Sequence, residues 1–111
     1  MKAFFCISIL YFLLNGSSFA QNDRICDLYG SVYVEENPKL AHYRVYIEET
    51  ESAANMLVFQ EENRLFADKK GAWFFTKSRS NANFTIYFEK DRRFADFTIY
   101  YTDVASFAGC Q

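Results

Sequence analysis

The sequence predicts a mainly β protein: one domain of six short strand-plus-helical-turn repeats, closed or wrapped on itself so that its two ends are adjacent. Two observations support this prediction. A dipeptide pattern recurs six times at a nearly constant spacing, and a pair of cysteines lies close to the two ends of the repeat region. Half of the 111 residues are hydrophobic and 20% are aromatic, which is a composition typical of a folded chain.

The first 20 residues have the pattern of a secretory signal peptide. Lys2 is followed by an apolar stretch over residues 3–14 and then by small and polar residues up to Ala20, which is the order found in such signals. We therefore expect cleavage near Ala20-Gln21, a short mature N-terminal segment over 21–25, and a secreted or periplasmic protein without a membrane span. Cleavage removes one of the 12 basic residues and leaves 11 against 14 acidic ones. A nucleic-acid partner is not expected for this charge balance.

The repeated pattern is a β-branched residue or tryptophan followed by Tyr or Phe. The six pairs are Val32-Tyr33, Val45-Tyr46, Val58-Phe59, Trp73-Phe74, Ile86-Tyr87 and Ile99-Tyr100, at spacings of 13, 13, 15, 13 and 13 residues. One alanine marks each repeat, at Ala41, Ala54, Ala67, Ala82, Ala95 and Ala108. Residues 26–33 align with 67–74, which places Gly30 over Gly71. The sequence thus predicts a repeat domain over 26–110 with two halves, 26–66 and 67–107.

Side chains alternate around each pair. Residues 43, 45 and 47 are apolar, whereas 44, 46 and 48 are Arg, Tyr and Glu. Period-two alternation rich in β-branched and aromatic residues predicts strands of about five or six residues with one buried apolar face and one mixed face.

Turn-forming residues stand four positions before the alanine in five of the six repeats: Asn37, Thr50, Asn63, Ser78 and Asp91. Their side-chain oxygens accept hydrogen bonds from nearby backbone N–H groups. We expect one turn of helix that ends near the alanine, and the small alanine side chain allows close packing against a neighbouring strand.

The cysteines constrain how the repeats are arranged. Cys6 lies in the predicted signal peptide, which leaves Cys26 and Cys110. In an oxidising compartment one intrachain disulfide is the simplest interpretation, and two free thiols or a bond between chains are the alternatives. A disulfide needs Cα atoms within about 7 Å, whereas six strands in an open stack would separate the ends by about 24 Å. The disulfide therefore predicts a closed arrangement with the last repeat beside the first.

The repeat, as in residues 44–54 and 85–95, resembles a family of very small bacterial proteins, often secreted, to which no function has been assigned. The resemblance covers residues 26–110 and implies a deeply knotted chain with adjacent termini, but no activity, substrate or cofactor. Family members carry a more regular Ser-x-Ala-Asp at the turn. That pattern survives in part as Ala67-Asp68 and Ala95-Asp96, whereas Ala41-His42, Ala54-Asn55 and Ala82-Asn83 depart from it.

Candidate catalytic groups are few. His42 is the single histidine, no Gly-x-Ser-x-Gly elbow is present, and neither a metal site nor a cofactor is predicted. Acidic residues recur at equivalent strand ends, at Glu35, Glu48, Glu61 and Glu89. Paired carboxylates can catalyse hydrolysis of a glycosidic bond, but solvated strand ends are the preferred interpretation.

The two halves of the chain differ in charge: the second half has basic residues over 77–79 and 90–93, whereas the first half is acidic. These basic residues either pair the two halves, attract a second copy of the protein, or form solvated turns, and solvated turns are the preferred interpretation.

The aromatic column is the candidate binding surface, and its members are Tyr33, Tyr46, Phe59, Phe74, Tyr87 and Tyr100. Core packing is the preferred interpretation, because a domain of this size needs most of its large side chains for the core; a strip that stacks on a glycan or a protein is the alternative.

Two function hypotheses follow from the sequence. The first is a non-catalytic secreted or envelope-associated structural or interaction module that binds a protein or glycan. The second is a small secreted enzyme or enzyme inhibitor that acts on cell-wall or host material.

Overall fold

The computed structural model describes residues 24–111, as β-strands joined by single turns of 3-10 helix. The strands are β1 (Gly30–Val34), β2 (Tyr43–Ile47), β3 (Met56–Gln60), β4 (Ala72–Phe75), β5 (Phe84–Phe88), β6 (Phe97–Tyr101) and β7 (Gly109–Cys110). The 3-10 turns between them span Pro38–Leu40, Glu51–Ala53, Arg64–Phe66, Arg79–Asn81, Arg92–Phe94 and Ala105–Phe107. The predicted mainly β fold with one helical turn per repeat is confirmed. The predicted signal peptide over 1–20 and the following residues 21–23 lie outside the described residues.

The strands form one closed sheet. Their order is β4-β1-β5-β2-β6-β3, and a further pairing between β3 and β4 closes the sheet into a barrel. Every pair within this barrel is parallel, and β7 adds to β3 in the antiparallel direction. The order alternates between the first three strands and the next three. The chain therefore runs round the barrel once with β1–β3, the first circuit, and a second time with β4–β6, the second circuit. Each strand of the second circuit lies between two strands of the first, which confirms the predicted self-wrapped arrangement.

Each strand of the first circuit divides its pairing between two neighbours. In β1, Gly30 pairs with Trp73 of β4, whereas Val34 pairs with Ile86 of β5. This half-and-half pairing staggers neighbouring strands, and stagger with strand tilt is what allows a small sheet to close.

The core is the column formed by the first residue of each repeated dipeptide. All six members have no exposed surface: Val32, Val45, Val58, Trp73, Ile86 and Ile99. Trp73 is the largest, its ring packs edge-on against Phe84 with centroids 5.3 Å apart, and its Nε1 donates a hydrogen bond to the carbonyl oxygen of Leu28. The predicted apolar face is wrong at Ile47, which is 40% exposed because it is the last residue of β2 and lies at the rim of the barrel.

The two circuits and the two chain ends meet in one region, which we name the seam: β3, β4, β7 and the loop over 67–71. Here β3 and β4 pair residues 13 positions apart, such as Phe59 and Ala72. Elsewhere in the barrel, paired residues are 43 or 52 positions apart, as Gly30 and Trp73 or Val32 and Phe84 are. A disulfide between Cys26 and Cys110, with Cα atoms 5.1 Å apart, fastens the ends beside this region. The predicted disulfide and adjacent ends are therefore confirmed.

Candidate functional site

Three equivalent groups of side chains lie where the strands of the first circuit end. Each contains a glutamate and an aromatic residue two positions before it. The third member is the residue 44 positions after the glutamate, which is the first residue of a 3-10 turn. We name these groups sockets. The first socket is Tyr33, Glu35 and Arg79, the second is Tyr46, Glu48 and Arg92, and the third is Phe59, Glu61 and Ala105.

An arginine fills the first and the second socket. In the first, Arg79 donates from Nε and Nη2 to the two carboxylate oxygens of Glu35, each at 2.8 Å. In the second, Arg92 makes the same pair of bonds to Glu48 at 2.8 and 2.7 Å. Two parallel charge-assisted bonds are the geometry in which arginine binds a carboxylate most specifically. Each pair joins the first circuit of the chain to the second.

The arginine also covers an aromatic ring. The guanidinium carbon lies 5.4 Å from the ring centroid of Tyr33 in the first socket and 5.3 Å from that of Tyr46 in the second, within the range of cation–π attraction. The hydrogen bonds that Arg79 donates to Glu35, and then the charge of Glu35, raise the pKa of Arg79 above its usual value. Glu48 raises the pKa of Arg92 in the same way.

Burial of the two glutamates corrects the interpretation made from sequence. The side chains of Glu35 and Glu48 are each 3% exposed, whereas those of Arg79 and Arg92 are 59% and 63% exposed. These carboxylates are thus not solvated strand ends, because the arginines cover them. Two basic residues of the second half, Arg79 and Arg92, therefore pair with acidic residues of the first half, which was one of the three alternatives and not the preferred one.

The third socket lacks its arginine. Ala105 stands at the position of Arg79 and Arg92, and Glu61 and Phe59 line a surface pocket of about 680 Å³ together with Ala105. Within the part of the chain that the structure describes, Glu61 makes no salt bridge. The side chain of Glu61 is partly exposed, unlike those of its two equivalents.

Further charged residues line the same pocket. Asp68, Lys69 and Lys70 belong to the loop of the seam, and the Nζ of Lys70 lies 2.9 Å from an Oδ1 of Asp27. Phe66, which is 64% exposed, lies at the edge of the pocket. The pocket therefore combines an aromatic wall with carboxylates and ammonium groups.

The second circuit uses the strand-end position differently. Glu89 lies 3.5 Å from Arg44 in a single contact, so this carboxylate is not held by two bonds. Its equivalents Thr76 and Thr102 accept hydrogen bonds from the backbone N–H groups of Ser78 and Val104, two residues further on. These threonines close the chain locally and form no socket.

His42 has a structural contact that the sequence did not predict. Its Nδ1 accepts a hydrogen bond from the backbone N–H of Thr85 at 3.0 Å. Three of the other residues that directly follow a repeat alanine act alike, since Asn55 accepts from Thr98 N–H, Asn83 from Ser31 N–H and Asp96 from Arg44 N–H, at 2.7–2.8 Å. At these four positions a polar side chain satisfies the backbone of the neighbouring strand. The column is visible in the sequence, but its partners are not.

The predicted aromatic column is half-buried throughout: Tyr33, Tyr46, Phe59, Phe74, Tyr87 and Tyr100 are all intermediate between core and surface. Arginines cover two of them, as described above. Use of this column as a binding surface stays a prediction.

Among residues 24–111, no three His, Cys, Asp or Glu side chains are grouped in a way that would hold a metal ion. The helical turns in this range are also far too short to cross a bilayer.

The chain matches a known protein family. The family model for the 7(1) septoil knot domain matches residues 25–111. This match covers most of the sequence, and the chain belongs to the septoil knot domain family. The predicted membership of a family of small, knotted repeat proteins is confirmed, and two circuits with interleaved strands explain how so short a chain contains a knot, a rare feature in proteins. No curated protein and no solved structure matches the sequence.

Proposed function

We propose that the protein is a non-catalytic interaction module that acts outside the cytoplasm, secreted or associated with the cell envelope. The Cys26–Cys110 disulfide supports this location, because such bonds persist in oxidising compartments. The closed barrel supports a binding role, because rigid scaffolds lose little conformational entropy when they bind.

The pocket at the third socket is the proposed binding site, and its exposed aromatic rim is the observation that carries the proposal. Phe66 is 64% exposed and lines the pocket. Phe107 is 58% exposed and belongs to the turn whose residues Ala105 and Ser106 line it. Exposed aromatic residues beside a pocket are typical anchors of protein and glycan ligands. The ligand class is therefore a protein or a glycan.

A binding comparison tests this function. Phe66→Ser and Phe107→Ser remove the rim, and Phe94→Ser is the matched control, since Phe94 occupies the same turn position beside the second socket and is 59% exposed. The probes are an immobilised random peptide library and purified peptidoglycan fragments. We expect retention of at least one probe by the wild type and by the control, and loss in both rim variants.

Equal retention by all four proteins would contradict a site at this pocket. A Tyr87→Ala variant added to the comparison tests the aromatic column separately. Retention that falls in this variant but not in the rim variants would move the site to that column.

A second candidate function is hydrolysis of a glycosidic bond. It is favoured by one observation, that Glu61 and Asp68 line the same pocket, since such enzymes use two carboxylates. Release of soluble fragments from cell-wall glycan by the wild type, abolished in Glu61→Gln and in Asp68→Asn, is the result that this candidate predicts. An enzyme inhibitor would instead bind a glycan hydrolase and block it without releasing fragments itself.

A further inference from the structure

The group that occupies the first and second sockets indicates which chemical group the third socket binds. We propose that the third socket binds a guanidinium group, presented by an arginine side chain of a partner protein or peptide. This inference rests on the proposed binding function and names the chemistry that the pocket recognises.

The backbone of Glu61 makes the same hydrogen bond as the backbones of its two equivalents, Glu35 and Glu48. The N–H of Glu61 donates to the carbonyl oxygen of Trp73 at 2.8 Å. The N–H groups of Glu35 and Glu48 donate to the equivalent oxygens of Ile86 and Ile99, each at 2.7 Å. The three glutamates therefore leave the barrel from equivalent positions, and Glu61 is placed to accept two hydrogen bonds as Glu35 and Glu48 do.

The aromatic wall is also retained. Phe59 occupies the place of Tyr33 and Tyr46, and it lines the pocket. In the filled sockets the guanidinium lies over the ring, so the interaction uses the face of the ring and does not need the tyrosine hydroxyl. A phenyl ring offers the same kind of face to a cation.

Only the cation is missing. Ala105 begins its 3-10 turn as Arg79 and Arg92 begin theirs, and its methyl group leaves open the volume that their side chains fill. Arg64, the arginine nearest to Glu61 in sequence, makes no salt bridge among residues 24–111. An arginine from another molecule is the group that restores the arrangement.

The charges that line the pocket nearly cancel, so net charge alone does not select a guanidinium over an ammonium group. Asp68 adds a negative charge, whereas Lys69 and Lys70 oppose a cation, and the ammonium group of Lys70 is engaged by Asp27. The net charge of the lining is thus close to balanced. Binding depends on the planar fork of two N–H groups against one carboxylate and on stacking, which arginine provides and lysine does not.

The test is an NMR titration of the ¹⁵N-labelled protein with N-acetyl-arginine methylamide, and in parallel with the lysine analogue and with an N-acetylglucosamine oligomer. We expect weak, saturable binding of the arginine probe. The amide signals of residues 59, 61 and 105 shift, and those of the filled sockets do not. The lysine probe produces smaller shifts that do not saturate.

Three variants locate the effect. Glu61→Gln removes the charge and is expected to abolish the shifts. Ala105→Arg supplies an arginine from the chain itself and is expected to abolish them by occupying the socket. Val104→Arg adds the same side chain one residue earlier, outside the pocket lining, and is expected to retain the binding seen in the wild type.

The possible outcomes distinguish failure of the guanidinium assignment from failure of the proposed binding function. Equal shifts with arginine and lysine, or arginine shifts that persist in both Glu61→Gln and Ala105→Arg, would overturn the guanidinium assignment. Glycan shifts at the pocket without arginine shifts would overturn it as well but would support the proposed binding function. An absence of shifts with every probe would overturn the assignment and count against the proposed function at this pocket.

Discussion

In the first and second sockets an arginine of the second circuit covers a glutamate of the first, whereas at the seam the third socket has an alanine in that place. The backbone around the three glutamates is alike and Phe59 keeps an aromatic ring in place of the tyrosines, so the difference in charge comes from Ala105 alone. In the filled sockets the charges are used to hold the two circuits together. At the seam a disulfide and an added strand hold them instead, and within residues 24–111 Glu61 makes no salt bridge.

The largest expected effect comes from removing the fastening of the seam. Replacement of both cysteines, Cys26→Ser with Cys110→Ser, opens a loop closed over 84 positions. We expect the free energy of unfolding to fall by about 4–5 kcal/mol on the chain-entropy model, measured by urea denaturation. A midpoint equal to that of the oxidised wild type would show that the barrel closes without the bond.

Gly71 tests how tightly the seam is packed. Its φ is +81°, and a Cβ added there would meet the backbone nitrogen of Gly109 and lie 2.8 Å from the carbonyl oxygen of Leu57. Gly71→Ala combines backbone strain with a collision and should cost about 3 kcal/mol. Gly109→Ala is the matched control, since it has a φ of +116° but its Cβ would be 3.9 Å or more from its neighbours. A larger loss for Gly109→Ala would contradict this packing.

Arg79→Ala converts a filled socket into the state of the third one. It leaves the carboxylate of Glu35 without its two hydrogen bonds, and we expect a loss of about 2 kcal/mol in unfolding free energy. Arg93→Ala is the control, because Arg93 pairs with Asp91 on the surface and its side chain is 82% exposed; exposed pairs contribute about 1 kcal/mol or less. Equal losses in the two variants would mean that the sockets are no more than surface ion pairs.

The effect with the narrowest range concerns pH, because it is confined to alkaline solution. Burial raises the pKa of Tyr101 in β6 to about 12 from 10.0. Because the folded pKa is the higher one, this residue contributes full stability below pH 10, and the contribution is lost as the pH rises from about 10 to 12. Tyr101→Phe should therefore lose stability less steeply than the wild type across this range. Identical slopes for Tyr101→Phe and the wild type would contradict the burial of this ring.

Much of the fold follows from the sequence because the repeats are local. A strand and its turn fit in 13 residues, so the alternation around Val45 and the residue types before Ala54 can be detected directly. Strand order cannot be detected this way. Neighbours such as Gly30 and Trp73 come from different circuits, and no pattern within one repeat specifies which strand of the other circuit lies beside it. Closure was predicted only because Cys26 and Cys110 limit the distance between the ends.

For the same reason, the sequence predicts only one part of each socket. The glutamate column appears in the sequence, but burial of Glu35 and Glu48 depends on Arg79 and Arg92, which come from the other circuit. Without the strand order these glutamates resemble any exposed strand end. The substitution of Ala105 for an arginine is likewise meaningful only after residues 44 positions apart have been brought together.

One double-mutant cycle decides whether the third socket has the same geometry as the filled ones and lacks only the arginine. Ala105→Arg is made in the wild type and in Glu61→Gln, with Val104→Arg as the control, and unfolding free energies are measured in urea. We predict that Ala105→Arg stabilises the wild type by about 0.5–1 kcal/mol and gives no gain in Glu61→Gln or from Val104→Arg. An equal effect of Ala105→Arg in both backgrounds would show that the arginine does not reach Glu61, and would contradict that geometry.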